Sequence, residues 1–232
     1  MNVAKRGPLL AATMLAAATL GGCVTDTGMM PTAMASSYTR STDARYAAVS
    51  DSGFTVPAVP SGDLKQQYMR QLVDDPTGEP PGTVVVDPKN RFLYLVQEGG
   101  KALRYGVGVG KAGAAWSGTA DVAMKREWPY WTPTPAMIAR EPGKYKRWQK
   151  GMDGGASNPL GARALYLFRN GRDTLYRIHG TNEPWSIGQA MSSGCIRMMN
   201  QDVIDLYRRV PKGAKVVVLP AGDGEGPTET TR

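Results

Sequence analysis

The sequence predicts a mainly β domain with a little α-helix over residues 82–220. Two observations lead to this fold class: short runs of β-branched and aromatic residues recur along the domain, and turn-forming Gly, Asn and Pro residues separate them. The 232-residue chain is 41% hydrophobic, so it has enough apolar side chains to form a core. One stretch near the end of the domain has the apolar spacing of an amphipathic helix.

Six strands are predicted, and two of the turns between them are well defined. Residues 87–90 (DPKN) are typical of a turn and join the first two strands into a hairpin. Asn-Gly at 170–171 is a strong hairpin signal for the fourth and fifth strands. The Gly-rich segment 106–110 lacks the spacing of a phosphate loop, so we interpret it as the end of a strand. The predicted strands are residues 83–86, 91–96, 102–109, 163–168, 174–178 and 215–219.

One helix is predicted over residues 201–209, with Asn200 as its N-cap and Pro211 just beyond its end. Upstream, a Pro-rich stretch that ends near Pro142 contains four aromatic residues, Trp116, Trp128, Tyr130 and Trp131. Two interpretations stay open: these rings pack under a long loop, or they form a lid or a wall of a substrate cleft.

The N-terminus has the layout of an export signal. Two basic residues precede an apolar run at 9–20, which is too short to span a bilayer. Residues 20–23 (LGGC) resemble a bacterial lipobox, in which the cysteine is acylated and becomes the mature N-terminus. We therefore predict a signal peptide over residues 1–22 and lipidation at Cys23. The alternative is ordinary signal-peptide cleavage, with Cys23 unmodified or lost.

Lipidation at this position predicts a periplasmic protein that is anchored to a membrane by its N-terminal lipid. Val24 follows the cysteine, and a residue other than Asp there resembles the outer-membrane pattern of Gram-negative lipoproteins. Residues 23–81 are expected to form a flexible tether, which could contain a short helix at 64–73, and residues 221–232 are expected to form a disordered tail.

The formal charge of +8 and the pI near 9.5 point to an acidic partner. The Lys and Arg residues are scattered and no recognition motif is present, so we do not expect nucleic acid to be that partner. An anionic cell-wall polymer or a membrane surface fits better. With two cysteines and one histidine, the chain cannot supply the four Cys or His ligands of a structural zinc site. Neither a metal nor an organic cofactor is expected.

The chemistry is expected in segment 178–198, where His179 and Cys195 lie 16 positions apart. A thiol is mostly protonated at neutral pH, and an adjacent imidazole can remove that proton to leave a good nucleophile. Gly194 permits a positive φ before the cysteine, and the backbone N–H groups of Gly194 and Cys195 are candidates for an oxyanion hole. Taken alone, Cys195 could also be a small buried residue or half of a disulfide with Cys23.

Residues 179–181 (HGT) and 192–198 (SSGCIRM) resemble the signature of the L,D-transpeptidase catalytic domain of the YkuD type, and residues 158–161 (NPLG) are similar to a motif found upstream in that family. The likeness covers about residues 82–220. It implies a β-sandwich-like fold with mixed strands and a helix after the catalytic cysteine. It also implies a peptidoglycan acyltransferase that needs no cofactor. In that reaction the cysteine attacks the bond between a diamino acid and D-Ala in a tetrapeptide stem, forms a thioester and passes the acyl group to an amine.

By matching position, the resemblance makes Cys195 the nucleophile and His179 its base. The Gly180 carbonyl would orient the imidazole. Many family members have a second histidine where this chain has Ser193, so His179 has no competitor for the role of base. Ser193 would then shape the turn or contact the substrate.

Arg197 would bind a substrate carboxylate through two hydrogen bonds, or else pair with Asp202 or Asp205. The acyl acceptor stays open between another peptidoglycan stem, which gives a 3–3 cross-link, and an amine on an outer-membrane protein. Two other functions also remain. One is an L,D-carboxypeptidase or amidase in which water resolves the same thioester, and the other is a non-catalytic wall-binding lipoprotein that keeps the fold.

Overall fold

The structure of the protein is a computed structural model, and it describes residues 43–110, 116–192 and 194–221. The predicted signal peptide, the lipidation site Cys23, Ser193 and nearly all of the predicted C-terminal tail lie outside the described residues. Within them, no helix is both long enough and apolar enough to cross a membrane. The same residues contain no group of three or more His, Cys, Asp or Glu side chains that could hold a metal ion.

Strands dominate the described chain, which confirms the prediction of a mainly β fold with little helix. Within these ranges the strands are β1 (Val49–Asp51), β2 (Phe54–Val56), β3 (Gln71–Asp74), β4 (Val84–Asp87), β5 (Phe92–Gln97), β6 (Lys101–Gly106), β7 (Val109–Gly110), β8 (Gly118–Glu127), β9 (Arg163–Arg169), β10 (Arg172–His179), β11 (Ala190–Ser192), β12 (Ile196–Arg197) and β13 (Lys215–Val218). The α-helices are α1 (Pro135–Arg140), α2 (Pro142–Tyr145) and α3 (Asn200–Arg209). Single 3-10 turns form at Ala44–Tyr46, Gln66–Tyr68, Lys146–Trp148 and Pro184–Ser186.

Nine of these strands form one sheet in the order β12-β10-β9-β8-β13-β4-β5-β6-β3. The neighbouring strands are antiparallel except for β10 with β12 and β4 with β13, so the sheet is mixed. Its β12 edge meets the segment that follows β6 near the other end of the sheet, because Gly108 pairs with Arg197 in β12. The sheet therefore curls around one core in the manner of a sandwich.

The core lies inside this curl, where residues from both halves of the sheet meet. Val84 and Leu95 come from one half, and Ile178 and Ile196 come from the other. Helix α3 closes the core with an apolar face that includes the fully buried Leu206. Burial of Ile178 and Ile196 anchors β10 and β12, the two strands on which the functional site is built.

The predicted strands all form, and the predicted helix forms as α3. Residues 102–109 divide into β6 and β7, because the ladder is interrupted at 107–108. The N-cap of α3 is Met199, and Asn200 is its first helical residue, so the predicted cap is wrong by one position.

The sequence does not predict β8, a ten-residue strand between β9 and β13. Its two buried side chains, Ala120 and Val122, are small, and three of its five exposed positions carry charged residues. This pattern gives a weak hydrophobic alternation, so the Pro-rich stretch as a whole resembles a long loop in the sequence.

Residues 43–81 are ordered and packed, so the predicted tether is wrong for this part of segment 23–81. Tyr46 is fully buried, and β3 adds an edge strand to the main sheet by pairing with β6. The predicted helix at 64–73 is also wrong, since that stretch contains a 3-10 turn and most of β3. Contacts with residues far away in the sequence hold this segment in place. The local sequence pattern does not reveal such contacts.

Polar contacts hold the N-terminal segment on α3. The Gln201 side chain donates to the carbonyl oxygens of Tyr46, Ala47 and Pro57 at 3.4, 3.2 and 2.9 Å. The Tyr46 hydroxyl donates to the buried Asp202 carboxylate at 3.2 Å. These bonds satisfy polar groups that the packing removes from water.

A buried ion pair fixes the same segment to the sheet. Asp51 in β1 accepts two hydrogen bonds from the guanidinium of Arg163 in β9, both at 2.7 Å. The two side chains are 7% and 4% exposed. Trp128 Nε1 donates to the same carboxylate at 2.9 Å. Removal of one partner from such a buried, bidentate ion pair strongly lowers the free energy of unfolding.

Asp51→Ala should lower the free energy of unfolding by about 3 kcal/mol, because it leaves the Arg163 guanidinium buried without its main partner. Urea denaturation followed by circular dichroism measures the change. Ser50→Ala, at an exposed position of the same strand, is the matched control and should change stability by less than about 0.5 kcal/mol. Equal stability of Asp51→Ala and the parent protein would contradict the docking of β1 on β9.

The substitution Asp202→Asn should remove the part of the pH dependence of the free energy of unfolding that comes from the Asp202 carboxyl. Burial raises the pKa of Asp202 to about 7, although the nearby Arg70 opposes the rise. The folded protein then binds this proton more strongly than the unfolded chain, so stability is lost as the pH rises from about 4 to 7. The amide keeps an oxygen for Tyr46 and does not titrate. Urea denaturation at pH 5 and pH 8 should therefore show that the stability of the variant relative to the parent increases with pH.

Candidate active site

The parallel pairing of β10 and β12 places the predicted pair on the same face of two adjacent strands. Ile178 pairs with Ile196 and His179 pairs with Arg197, so Cys195 lies one residue before this ladder. Ile178 and Ile196 face the core, and side chains alternate along a strand, so His179 and Cys195 share the opposite face. One strand spacing across and two residues along put their Cα atoms about 8 Å apart. At that separation the imidazole can reach the thiol.

His179 has the tautomer that a base for Cys195 needs. Its Nδ1 lies 2.6 Å from the Gly180 carbonyl oxygen. Because a carbonyl can only accept, Nδ1 carries the proton and Nε2 carries the lone pair. The ring is 5% exposed. Burial, helped by the positive charge of Arg197, lowers the pKa of His179 to about 4, so the imidazole is neutral at physiological pH.

Cys195 is a free, partly buried thiol. Its Sγ lies 3.9 Å from the Leu175 carbonyl oxygen, to which the S–H donates. Burial raises the pKa of Cys195, while a hydrogen bond from the Arg177 backbone N–H and the charges of Arg177 and Arg197 oppose the rise. The resting pair is therefore a neutral thiol beside a neutral imidazole.

Ser192 closes the turn before Cys195. Its hydroxyl donates to the Cys195 carbonyl at 2.6 Å and accepts the Gly194 N–H at 3.2 Å. Gly194 has a φ of 126°, in the left-handed region that glycine tolerates, as predicted. Its N–H is bonded to Ser192 in this structure, so the oxyanion role of Gly194 and Cys195 stays a prediction. Ser193, whose role also stays a prediction, lies outside the described residues.

Asn200 joins the two turns that flank the histidine. Its Oδ1 accepts the Ala162 N–H at 2.9 Å, and its Nδ2 donates to the Thr181 carbonyl at 2.8 Å. Gly161 and Gly180 pack against this amide, and a Cβ on either would come within 2.1 Å of its Oδ1. The sequence indicates Asn200 only as a helix cap, whereas the structure makes it the support of the histidine turn.

The NPLG motif at 158–161 forms a neighbouring turn. Asn158 is fully buried, and its Oδ1 accepts the Leu160 N–H at 2.8 Å. Its Nδ2 donates, at 3.0–3.3 Å, to the carbonyl oxygens of Pro129, Met152 and Asp153. This one amide therefore ties the connection between β8 and β9 to the turn that packs against Gly180.

Arg197 has a partner that the sequence analysis missed. Its guanidinium donates to Glu183 at 2.9 Å, and the two side chains are 22% and 31% exposed. The alternative pairing with Asp202 or Asp205 is wrong, because those carboxylates bond elsewhere. Glu183 lies 14 positions before Arg197, and no local sequence pattern indicates this pairing. A substrate carboxylate would have to replace Glu183 on Arg197.

Comparison with protein families identifies the domain that carries this geometry. The L,D-transpeptidase catalytic domain family, YkuD, matches residues 81–218, which is more than half of the chain. The chain belongs to this family.

Similar proteins share the L,D-transpeptidase domain over part of their length. The chain is 34% identical over 142 residues to the probable L,D-transpeptidase ErfK/SrfK of Escherichia coli (strain K12), a match that covers 60% of this chain and 44% of that protein. It is 31% identical over 160 residues to the probable L,D-transpeptidase YbiS of the same strain, covering 68% and 50%. The chain thus spans about half the length of these relatives.

A solved structure from Brucella melitensis, described as a probable carnitine operon oxidoreductase caia, is 55% identical to this chain. The match covers 66% of this chain and 94% of that chain, with a TM-score of 0.46. That description concerns the Brucella protein alone, and a TM-score below 0.5 carries no conclusion about the activity of this chain.

The aromatic residues of the Pro-rich stretch have two different surroundings in this L,D-transpeptidase domain. Trp128 and Trp131 are each 8% exposed, so the packing interpretation holds for them. Trp116 lies 5.7 Å from the ring of Tyr176, between ring centroids. Burial and the neighbouring Cys195 raise the pKa of Tyr176. The Trp116 side chain therefore packs with Tyr176 against the main core, so the packing interpretation holds for Trp116 as well.

Alkylation of Cys195 by iodoacetamide should accelerate steadily up to about pH 9, because burial raises the thiol pKa and the thiolate is the reactive form. No inflection is expected near pH 6.5, since His179 stays neutral down to a pH of about 4. Mass spectrometry of the peptide that contains Cys195 measures the rate, with Cys195→Ala as the blank. A plateau between about pH 5 and 8, which a thiolate–imidazolium pair would produce, would contradict this assignment.

Proposed function

We propose that this protein is a peptidoglycan L,D-transpeptidase, a transferase that works through a thioester on Cys195. One observation supports the proposal most: in a domain of this family, a thiol and a neutral imidazole lie on the same face of two adjacent parallel strands. The Gly180 carbonyl, 2.6 Å from Nδ1 of His179, orients the imidazole. Cysteine acyl transfer of this kind needs no metal and no organic cofactor.

The first half of the reaction forms the thioester. Nε2 of His179 takes the thiol proton as the sulfur attacks the carbonyl of the diamino acid that precedes the terminal D-Ala of a tetrapeptide stem. The C–N bond to D-Ala then breaks, and the imidazolium gives its proton to the leaving amine. The N–H groups of Gly194 and Cys195 would stabilise the tetrahedral oxyanion, once the Gly194 donor is released from Ser192.

The second half of the reaction transfers the acyl group. An acceptor amine attacks the thioester carbonyl, His179 takes the amine proton, and the thiol is restored. The acceptor is the side-chain amine of a second stem, which gives a 3–3 cross-link, or an amine on an outer-membrane protein.

Arg197 would bind a carboxylate of the stem. It lies two residues after Cys195 along β12 and therefore shares its face of the sheet. Its partner Glu183 is 31% exposed, and a partly exposed ion pair of this kind contributes about 0–1 kcal/mol. A substrate carboxylate can therefore replace Glu183 at little cost. Ser193 would shape the turn beside it.

The proposed location is the periplasm, with attachment to the outer membrane through lipid on Cys23. The apolar run at 9–20 and the LGGC sequence that follows support export and acylation. Removal of residues 1–22 takes away Lys5 and Arg6, so the formal charge of +8 falls to +6, and this positive charge suits an anionic wall polymer. Radiolabelled palmitate incorporation into the parent protein, and its loss in Cys23→Ser, would measure this part of the proposal.

The protein should release D-Ala from a disaccharide tetrapeptide and gain the mass of the stem without D-Ala. With an amine acceptor present, a 3–3 cross-linked dimer should form. Cys195→Ala should lower D-Ala release by at least about 1,000-fold, because no other group in the site can form the thioester. Intact-protein mass spectrometry and muropeptide analysis measure these products.

Ser50→Ala is the matched control for this assay and should keep the parental rate. Release of a tripeptide without any cross-link at a saturating acceptor concentration would assign a carboxypeptidase instead. Binding of the stem with no release of D-Ala by the parent protein would contradict an enzymatic function.

A further inference from the structure

Strand β10 is irregular in the half that precedes the histidine. Asp173 pairs with Phe168 of β9, and Arg177 pairs with Tyr166, so four residue steps of β10 lie against two of β9. Leu175, at the centre of this bulge, has a φ of 64° and is 76% exposed. The left-handed region is unfavourable for a residue with a Cβ, so other contacts must hold Leu175 there.

Asp173 and Arg177 hold the bulge closed. The Arg177 guanidinium donates to both carboxylate oxygens of Asp173, each at 2.7 Å, and Asp173 Oδ1 also accepts the Leu175 N–H at 2.8 Å. The Thr174 hydroxyl adds a second restraint, since it donates to a carbonyl of β9 at 2.6 Å and accepts the Tyr176 N–H at 3.2 Å. A bidentate ion pair requires a specific geometry of both side chains, so it fixes the backbone between the two residues.

The backbone of this bulge contacts the thiol. Sγ of Cys195 lies 3.9 Å from the Leu175 carbonyl oxygen. Because Ile178 pairs with Ile196, Cys195 lies level with Arg177 across the two strands. The Arg177 backbone N–H faces the sulfur from this position and lowers the thiol pKa. The bulge therefore offers a carbonyl to the S–H and an N–H to the sulfur.

We infer that Asp173 and Arg177 are positioning residues for Cys195, and that they act through the backbone of the bulge between them. The Leu175 carbonyl accepts the thiol hydrogen in the resting state. The Arg177 N–H stabilises the sulfur after His179 has taken the proton. The catalytic consequence of this inference rests on the proposed acyl transfer, whereas the thiol reactivity that it predicts does not.

Charge alone predicts the opposite effect for Asp173. Its carboxylate raises the pKa of Cys195, while the guanidinium groups of Arg177 and Arg197 lower it, and His179 is neutral. Removal of the Asp173 charge, with no other change, would make the thiol more reactive. Loss of the bulge geometry would make it less reactive. The two explanations therefore differ in the sign of the effect.

Alkylation of Cys195 by iodoacetamide at pH 8, in the full-length protein, tests the inference. Asp173→Ala removes both the charge and the acceptor for the Leu175 N–H, and it should slow alkylation about tenfold. Asp173→Asn keeps an oxygen for that N–H, so its rate should stay within about threefold of the parental rate. In the D-Ala release assay, Asp173→Ala should lower kcat while KM changes less than about twofold.

Asp121→Ala is the matched control, because it removes an exposed carboxylate from β8, which β9 separates from β10, and it should react at the parental rate. Parental or faster alkylation of Asp173→Ala, with unchanged thermal unfolding, would overturn the inference. If that variant does not fold, Thr174→Val serves in its place: about threefold slower alkylation supports the inference, and an unchanged rate overturns it. Failure of the proposed function can be told apart from failure of this inference. In that case the parent protein would release no D-Ala, while the alkylation rates of Cys195 in the variants would still follow the predicted order.

Discussion

The geometry of the site depends on the parallel pairing of β10 with β12. Two core residues, Ile178 and Ile196, lie opposite each other in this pair and are buried together. Because these two side chains point into the core and side chains alternate along both strands, His179 and Cys195 point to the opposite face of the sheet. The chain leaves β10 after His179 and returns beside it as β12. This return brings the turn before Cys195 towards His179. Any contact that keeps the two strands in register therefore keeps His179 and Cys195 together.

Helix α3 supports this register and links it to the N-terminal segment. Asn200 fastens the turn after the histidine, and the next residue, Gln201, bonds to three carbonyl oxygens of residues 43–60. Asp202 then accepts the hydroxyl of Tyr46. Three successive residues at the start of one helix thus connect the site on one side with the N-terminal segment on the other. The segment supports the helix that holds the histidine turn, which a flexible tether could not do.

The sequence predicted the strands and the pair Cys195 and His179 because both depend on local information. Strands show as short apolar runs between turn signals, and a chain with one histidine and two cysteines leaves few candidates for thiol chemistry. The contacts that the sequence did not predict join residues that lie far apart. Tyr46 and Asp202 are 156 positions apart, and no pattern around either residue indicates the other. Glu183 shows its role only when the fold brings Arg197 beside it.

In the acyl transfer that we propose, the low pKa of His179 suits an amide substrate. An imidazole with a pKa of about 4 is a weak base for a thiol whose own pKa is raised by burial, so the ion pair does not form before attack. The same property makes the imidazolium a strong acid, which readily protonates the amine that leaves when the amide bond breaks. The positive charge of Arg197 contributes to this low pKa, and Glu183 offsets part of that charge. A substrate carboxylate that replaces Glu183 brings an equal negative charge to Arg197, so the acidity of the imidazolium is preserved when the substrate binds.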